Sequence, residues 1–502
     1  MTIIKHGSVL PLEPEHVQDE AVPFTPTSRS SLYFTWSFGY MFPELQDDPR
    51  NLLEKSHTTV DDLRRLGEQG MEDPVGLNDP DDLKAPGVPV PTIYTFFGQF
   101  VDHDITLERG SMNIKLEDYP DPIDPSALAR NIINSRSPNL DLDNVYGPNP
   151  DGKLAPQDPI NPDKLLVDKV HRDPTGRGLP PTKDIYNDLP RDDEGRALIG
   201  DPRDDENVVL AQLHVAFLRA HNALVDRGLR FGEARRLLRQ HYQWIVLDDF
   251  LERIADPNIV KKIRYHGPKF FNPSSKSLFM PLEFSVAAFR FGHSKVRLSY
   301  PNSNRFQVSG ILGTIFSNAG QPISADWVID WTAFLGSEDR NHFPRPMDTA
   351  LVKPLLELNP AQLGPGDPEP NLAVRNLLRG YILRLPTGQA VAQAMAAQGI
   401  LPLTPEQMLS VGAKIANQND ILLKTSFLER TPLWFYILAE AAYYSRGYHL
   451  GPVGSTIVAE VLIGILRNSS DSILSDPHWR PTLGSTPGKF ELEDLLRLAG
   501  VF

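Results

Sequence analysis

The stretch TFFGQFVDHDI (residues 95–105) carries more polar chemistry than an apolar helix usually does. If it is helical, Gln99 and His103 stand one turn apart on the same face, while Asp102 and Asp104 flank the histidine and point elsewhere. A solvated helix end with a stray histidine would explain this stretch equally well. Other polar clusters are therefore needed before a function can be assigned.

Three further clusters place two polar residues three positions apart. They are GDPRDDENVVL (200–210) with Arg203 and Glu206, FRFGHS (289–294) with Arg290 and His293, and NLAVRNLLRG (371–380) with Asn376 and Arg379. Taken singly, each is more often a surface ion pair, a helix-start charge or a satisfied core histidine. Taken together, they supply one histidine to bind an iron, another to face it, and arginines for the carboxylates of a haem.

The composition excludes several other kinds of site. The chain has 502 residues, 40% of them hydrophobic, which is enough for a substantial core. Its formal net charge of −14 disfavours nucleic acid or an anionic membrane as a partner. Because there is no cysteine, disulfides, thiolate ligands and zinc–cysteine clusters are ruled out. A lack of thiols also suits a protein that handles oxidants.

The pattern along the chain predicts a mainly α fold with one dominant domain, long irregular loops and little β structure. Residues 1–90 are rich in proline and aspartate and predict an irregular N-terminal arm packed on the body, with one helical piece near 51–69. Residues 91–502 form the predicted helical catalytic domain. Within it, residues 147–205 are interrupted by proline and glycine, whereas 206–224 and 232–254 have helical periodicity.

No membrane span and no secretory signal are predicted. The start MTIIKHGSVLPLEPEH has too short an apolar run for a signal peptide, so we expect a cytoplasmic or unconventionally secreted protein. The apolar stretches 432–444 and 451–466 are interrupted by Glu440 and Glu460 and are shorter than a bilayer-spanning helix. Both are predicted to be buried core helices.

The motifs GQFVDHD, RDDENxxLxxLHxxFLRxHN, FRFGH and RNLLRG, in this order, resemble the signatures of the animal-type haem peroxidases, members of the peroxidase–cyclooxygenase superfamily. The resemblance covers residues 90 to 470 and is expected to be closest to bacterial members. It implies a single helical peroxidase domain that binds haem b.

The resemblance also implies a role for each polar residue of the four clusters. The implied roles are His103 as distal histidine, Arg203 as distal arginine, Gln99 in the distal cavity, His293 as proximal iron ligand, Asn376 as its hydrogen-bond partner, Asp102 and Glu206 as ester links to haem, and Arg290 and Arg379 as propionate partners.

The segment SPNLDLDNVYG (137–147) is similar to the calcium loop of that family. One calcium ion is expected, because alternating oxygen ligands with carboxylates suit a hard cation. The alternative is an acidic turn without a metal. The implied ligands are the side chains of Ser137, Asp141 and Asp143, the backbone carbonyl of Asn139, and Asp104 from the distal helix.

The function implied by the resemblance is reduction of hydrogen peroxide, with oxidation of small anionic or phenolic donors through a ferryl intermediate. Asn207 stands where the chloride-oxidising mammalian member carries a haem-linked methionine, so bromide, iodide, thiocyanate or phenols are the expected donors. A fatty-acid dioxygenase of the same superfamily is the first alternative, although its radical-forming tyrosine is replaced by Arg290. A non-catalytic adhesive or calcium-binding protein is the second. The pattern does not fix the oligomeric state, and a monomer fits it.

Overall fold

The computed structural model describes residues 10–11, 36–73, 90–110, 132–149, 152–170, 187–273, 278–301, 309–311, 320–336, 344–358 and 369–502. Much of the predicted N-terminal arm, including the MTIIKHGSV start, lies outside these residues, as do parts of the predicted irregular region 147–205. The described residues form a mainly α fold with little β structure, as predicted.

The α-helices are numbered α1 to α17 along the chain. They span His57–Gln69, Ile93–Ile105, Asp143–Tyr146, Val208–Asp226, Phe231–Trp244, Leu251–Ile254, Pro257–His266, Gly292–Lys295, Thr332–Leu335, Lys353–Leu356, Leu372–Ile382, Gly388–Ala394, Pro405–Val411, Gln418–Lys424, Leu433–Ser445, Pro452–Asn468 and Leu492–Leu498. Two π-helical segments, Ile245–Phe250 and Glu283–Ala287, lie between them. Short 3₁₀ turns span Pro43–Asp47, Pro49–Asn51, Pro202–Asp205, Ala288–Phe291, Ala325–Trp327, Ala396–Gln398, Gly412–Lys414, Ser426–Leu428 and Ile473–Ser475.

The strands β1 to β9 are short, with two to four residues each. They span Leu10–Pro11, Trp36–Gly39, Glu108–Gly110, Ile132–Asn134, Asp168–Lys169, Asn187–Asp188, Phe279–Pro281, Ser299–Pro301 and Ser309–Ile311. A five-stranded sheet has the order β1-β3-β4-β2-β7, and two strand pairs, β5-β6 and β8-β9, lie apart from it. In the large sheet Trp36 pairs with Asn134 and Ser37 with Phe279, so the sheet joins the segment before α1 to the body.

Helix α4 is central to the core. The side chain of Asn207 caps its start by accepting a hydrogen bond from the backbone N–H of Leu210. By length and composition α4 could cross a membrane, with a mean hydropathy of 1.3, but 83% of that apolar window is buried inside the protein. This is weak evidence for a membrane span, because the core helix of a globular protein has the same properties.

Helices α15 and α16 are buried, as predicted, and each glutamate that interrupts their apolar pattern has a structural partner. Glu440 Oε2 accepts hydrogen bonds from the backbone N–H groups of Val453 and Gly454 at the start of α16, the first at 2.7 Å. Glu460 accepts from three successive N–H groups, starting at Lys269. Both carboxylates therefore satisfy backbone donors that would otherwise be buried without partners.

Burial raises the pKa of Glu440 from 4.5 to about 8, although its two backbone hydrogen bonds act in the opposite direction. The folded protein therefore retains a proton that the unfolded chain loses near pH 4.5. We expect the free energy of unfolding to fall by roughly 1.4 kcal/mol per pH unit from this group between pH 4.5 and 8.

Denaturant unfolding of a Glu440→Gln variant at several pH values tests this expectation. The variant should lose that component of the pH dependence, whereas Glu357→Gln, at an exposed ion pair with Lys353, should keep it. Parallel pH profiles for Glu440→Gln and the parent would show that Glu440 has an ordinary pKa.

The described part of the predicted arm contacts the body through α1 and the turn before it. Backbone N–H groups of Met41 and Phe42 donate to the buried carboxylate of Glu283 at 2.8 and 3.2 Å. Gly67 of α1 lies directly against Val374 of α11, where a Cβ atom would collide with the backbone. Helix α11 carries the RNLLRG motif, so this contact helps to position a candidate site helix.

Candidate functional site

A cavity of about 1130 Å³, including the solvent at its mouth, lies between α2 and the turn that precedes α8. Its wall combines five charged or ligating side chains with a largely aromatic and aliphatic surface, as is usual for cofactor sites. The lining residues are Thr95, Phe96, Gly98, Gln99, Asp102, Glu206, Asn207, Phe289, Arg290, Phe291, Gly292, His293, Val296, Leu355, Leu358, Leu372 and Arg375.

Two carboxylates reach the cavity from different elements. Asp102 comes from α2, where Thr106 Oγ1 donates to its Oδ1 at 3.0 Å. Glu206 comes from the end of the 3₁₀ turn before α4, and Gln99 Nε2 donates to its Oε2 at 3.4 Å. Asn207 Nδ2 in turn donates to Gln99 Oε1 at 3.3 Å. Gln99 thus links the two elements through both ends of its amide group.

His293 reaches the cavity from the chain segment that follows the π-helix. Arg290 and His293 stand three positions apart across a 3₁₀ turn and the start of α8. Residues three apart eclipse in a 3₁₀ turn, so both side chains are directed towards the cavity. The chain passes through π, 3₁₀ and α turns in succession here.

The amide group of Asn376 is oriented by Arg290. Arg290 Nη1 donates to Asn376 Oδ1 at 2.6 Å, and Asn376 Nδ2 lies 2.9 Å from His293 Nδ1. Since a guanidinium can only donate, the atom facing it must be the amide oxygen. Asn376 therefore offers His293 a hydrogen-bond donor and not its side-chain carbonyl oxygen.

Burial, together with the positive charges of Arg290 and Arg375, lowers the pKa of His293 to about 3. The imidazole is consequently neutral at ordinary pH. A neutral imidazole is the form of histidine that binds metals.

The arginines of this region differ in their relation to the cavity. Arg290 and Arg375 line it, and burial lowers the pKa of Arg290 to about 10. Arg379 does not line it and forms an ion pair with Glu108. Arg375 was missed in the sequence, although it directly precedes Asn376 in the same motif and stands one turn before Arg379.

His103 and Arg203 are buried and do not line the cavity. His103 follows Gln99, which lines the cavity, by one turn on the same face of α2. Arg203 donates from Nη2 to the backbone oxygens of His103 at 3.3 Å and Thr106 at 2.5 Å, which ties it to the end of α2.

Asp201 is a further buried residue that the sequence reasoning missed. Its carboxylate accepts from the Nε and Nη2 groups of Arg203 at 3.0 and 2.8 Å and from the same groups of Arg136 at 3.1 and 2.7 Å. Burial alone would raise its pKa, but the two guanidinium groups lower it below its usual value. Asp201 therefore stays ionised and fixes Arg203.

The segment 137–147 folds back against α2. The backbone N–H of Asp143 donates to Asp104 Oδ1 at 2.6 Å, and that of Ser137 donates to Asp143 Oδ2 at 3.2 Å. Leu140 and Leu142 have left-handed backbone conformations and are fully buried. Because Leu140 and Leu142 point into the core, the residues that alternate with them, Asn139, Asp141 and Asp143, are directed to the other side of the segment.

The acidic residues of this segment fit a cation. Burial, followed by the charge of Asp143, raises the pKa of Asp104 to about 8, and burial also raises the pKa values of Asp141 and Asp143. Asp104 Oδ2, Asn139 Oδ1 and Asp141 Oδ1 are buried without a hydrogen-bond partner among the described residues. Such oxygens need either protons or a metal ion. In the described part of the chain, however, no three His, Asp or Glu side chains are gathered closely enough to form a finished metal cage.

Part of this chain, including several of the cavity residues, is similar to a known protein family. Residues 108–314 match the animal haem peroxidase family. This match includes Arg203, Glu206 and His293, while Gln99, Asp102 and His103 precede it and Asn376 follows it. No comparison distinguishes bacterial from other members, so the expected closeness to bacterial peroxidases stays a prediction.

Curated relatives match segments of 111 and 207 residues. A peroxidase-like protein of Margaritifera margaritifera is 36% identical over 111 residues, which are 20% of this chain and 14% of that protein. A probable oxidoreductase of Homo sapiens is 28% identical over 207 residues, 38% of this chain and 13% of that protein. The chain thus spans about one seventh of the length of these relatives.

Solved structures share the peroxidase fold over much more of the chain. Peroxidase A of Dictyostelium discoideum has a TM-score of 0.52 at 16% identity, covering 82% of this chain and 83% of its own. A fatty acid alpha-dioxygenase of Arabidopsis thaliana has a TM-score of 0.53 at 13% identity, covering 94% and 76%. At these identities the likeness establishes the fold alone.

Proposed function

We propose that the protein is a haem peroxidase that reduces hydrogen peroxide and oxidises small donors such as bromide, iodide, thiocyanate or phenols. The observation that carries this proposal is the convergence of a neutral histidine, two carboxylates and two arginines on one largely apolar cavity. The match of residues 108–314 to the animal haem peroxidases supports it.

The cavity residues fit haem b. His293 would bind the iron, and Arg290 and Arg375 would hold the propionate carboxylates, with Arg379 behind them. Asp102 and Glu206 lie on the wall, as ester formation with the haem periphery requires. Haem supplies an iron centre that can accept peroxide and exchange electrons with a donor.

Binding haem would require one local change, a rotation of the Asn376 amide group. A histidine that ligates iron through Nε2 carries its proton on Nδ1 and needs an acceptor there. Asn376 offers its oxygen only if its amide group rotates, and Arg290 must then release that oxygen. A propionate is a stronger acceptor for Arg290 than an amide, so haem itself favours this exchange.

The protein groups next to the cavity suit the proton movements of peroxide cleavage. His103 would take a proton from peroxide and return it to the departing oxygen, which would leave as water, with the haem as the source of the two electrons that the O–O cleavage needs. Arg203, fixed by Asp201, stabilises the negative charge that develops as the O–O bond breaks. Gln99 orients peroxide on the same wall.

A calcium ion is proposed between Asp104 and the segment 137–147. Asp104, Asp141 and Asp143 would supply carboxylate oxygens, Ser137 its hydroxyl and Asn139 its backbone carbonyl. The raised pKa values and unsatisfied oxygens support a cation there, and small shifts would complete the cage. Calcium would neutralise the end of α2 that carries His103.

The fatty-acid dioxygenase alternative is not adopted. Its radical-forming residue would be a tyrosine three positions before His293, and Arg290 occupies that position. The similarity to the solved fatty acid alpha-dioxygenase structure is a similarity of fold.

Absorption spectroscopy followed by mass spectrometry after acid extraction tests the proposed function. We expect a Soret band, haem retained on the polypeptide after extraction, and one calcium per chain in metal analysis. Asp102→Asn and Glu206→Gln should each release part of the covalent haem, and the double variant should release all of it. Glu283→Gln, at a buried glutamate that does not line the cavity, should release none. A purified chain that binds no haem when supplied with it would refute the proposal.

A further inference from the structure

A single buried carboxylate, Asp204, lies between two buried histidines. His103 Nδ1 is 2.8 Å from Asp204 Oδ1, and His214 Nδ1 is 2.7 Å from Asp204 Oδ2. Asn144 Nδ2 donates to the same Oδ2 atom at 3.0 Å. All four side chains are fully buried.

The donor and acceptor roles in this cluster follow from the carboxylate. An ionised carboxylate only accepts, so each imidazole nitrogen that faces it carries the proton. For His214 the opposite arrangement would be costly, because its Nε2 atom is buried without a hydrogen-bond partner among the described residues. An N–H there would be a buried donor with no acceptor. Both imidazoles are therefore held with the proton on Nδ1.

The carboxylate cannot easily turn away from His103. His214 and Asn144 both hold Oδ2, which leaves Oδ1 facing His103. Asp204 also follows Arg203 directly in the 3₁₀ turn Pro202–Asp205, so one short element carries both Arg203 and the partner of His103. Any shift of this turn would move them together.

We infer that Asp204 is a positioning residue for His103, holding its imidazole in the tautomer whose Nε2 atom can take a proton from peroxide. When Nε2 receives that proton, the negative charge of Asp204 stabilises the resulting imidazolium until the proton passes to the departing oxygen. The catalytic consequence rests on the proposed peroxidase function, whereas the tautomer itself does not.

The tautomer is measured directly by ¹⁵N NMR of the full chain labelled in histidine. His103 and His214 signals are assigned by their loss in His103→Gln and His214→Gln. Spectra are recorded in the diamagnetic ferrous carbon-monoxide state when haem is present, and on the haem-free chain otherwise. We expect protonated Nδ1 and unprotonated Nε2 for both residues. A proton on Nε2 of His103 in the parent protein would overturn the inference, whether or not haem binds.

The Asp204→Asn variant tests whether Asp204 fixes the tautomer of His103 and thereby supports peroxide reduction. An asparagine has one donor and one acceptor end, so it cannot accept from both histidines. We expect a mixed His103 tautomer, unchanged haem content, and about a 100-fold loss in the rate of peroxide reduction. Asp205→Asn is the matched control, because Asp205 is a buried neighbour that pairs with Arg191, which keeps Asp188 as a second partner.

The outcomes separate the inference from the proposed function. Asp204→Asn with parental tautomer and parental rate would overturn the inference and leave the peroxidase function standing. A chain without haem would refute the function, while the tautomer would still decide the role of Asp204. If Asp204→Asn does not fold, the tautomer of His103 in the parent protein supports or overturns the inference by itself.

Discussion

Replacing His103 by glutamine is expected to slow peroxide reduction by about 10²- to 10⁴-fold, the range that a positioned proton-transfer group contributes. Glutamine has a similar reach and can hydrogen-bond, but it cannot carry a proton from one oxygen to the other. Haem content and the Soret band should be retained, because His103 is not among the groups proposed to bind haem. Stopped-flow absorption after mixing with peroxide measures the effect.

His241→Gln is the control for this substitution. His241 is also fully buried, and its Nε2 accepts from the backbone N–H groups of Thr482 and Leu483, far along the chain from the proposed site. The control should lose stability but keep the rate of peroxide reduction. A His103→Gln protein that contains haem and reacts at the parental rate would remove His103 from the mechanism.

Asp201→Ala is expected to lower the free energy of unfolding by about 3–5 kcal/mol, because it leaves the buried guanidinium groups of Arg203 and Arg136 without their shared carboxylate. Because the pKa of Asp201 is lowered in the folded protein, its contribution to the free energy of unfolding is present above the unfolded pKa of 3.8. This contribution is lost as the pH falls through the lower folded pKa. Released from Asp201, Arg203 would also lose its fixed position, so peroxide reduction should slow. Urea unfolding with parallel rate measurements checks both effects.

Asp192→Asn is the matched control, since Asp192 also pairs with an arginine, Arg196, but at the exposed surface. Surface pairs contribute little, so this variant should be indistinguishable from the parent. Equal stability of Asp201→Ala and Asp192→Asn would show that the buried ion cluster is not a stabilising unit.

The sequence was informative wherever a role depends on spacing along one element. The helix assumed for residues 95–105 is present and spans Ile93–Ile105, so Gln99 and His103 stand one turn apart. The buried character of α15 and α16 followed from their length and apolar content. Arg290 and His293, which the sequence places three positions apart, both line the cavity across a 3₁₀ turn and the start of α8.

The sequence could not predict contacts between distant elements. Asp201 and Asp204 stand in an acidic run that is indistinguishable from a solvated turn, and only their arginine and histidine neighbours make them site residues. The five-stranded sheet was also missed, because strands of two to four residues are too short for an alternating pattern to be seen. The wall position of Arg375 and the Glu108 partner of Arg379 depend equally on tertiary packing.

The close approach of Gly200 to the segment 137–147 has a consequence for redesigning this protein. A Cβ atom at Gly200 would collide with the carbonyl oxygens of Asp143 and Asn144, and the N–H of Asp201 donates to Asn144 O at 2.9 Å. These main-chain contacts add to the side-chain contacts of Arg136 with Asp201 and of Asn144 with Asp204 in aligning the two chain segments. An insertion or deletion between 137 and 147 would therefore shift both segments at once.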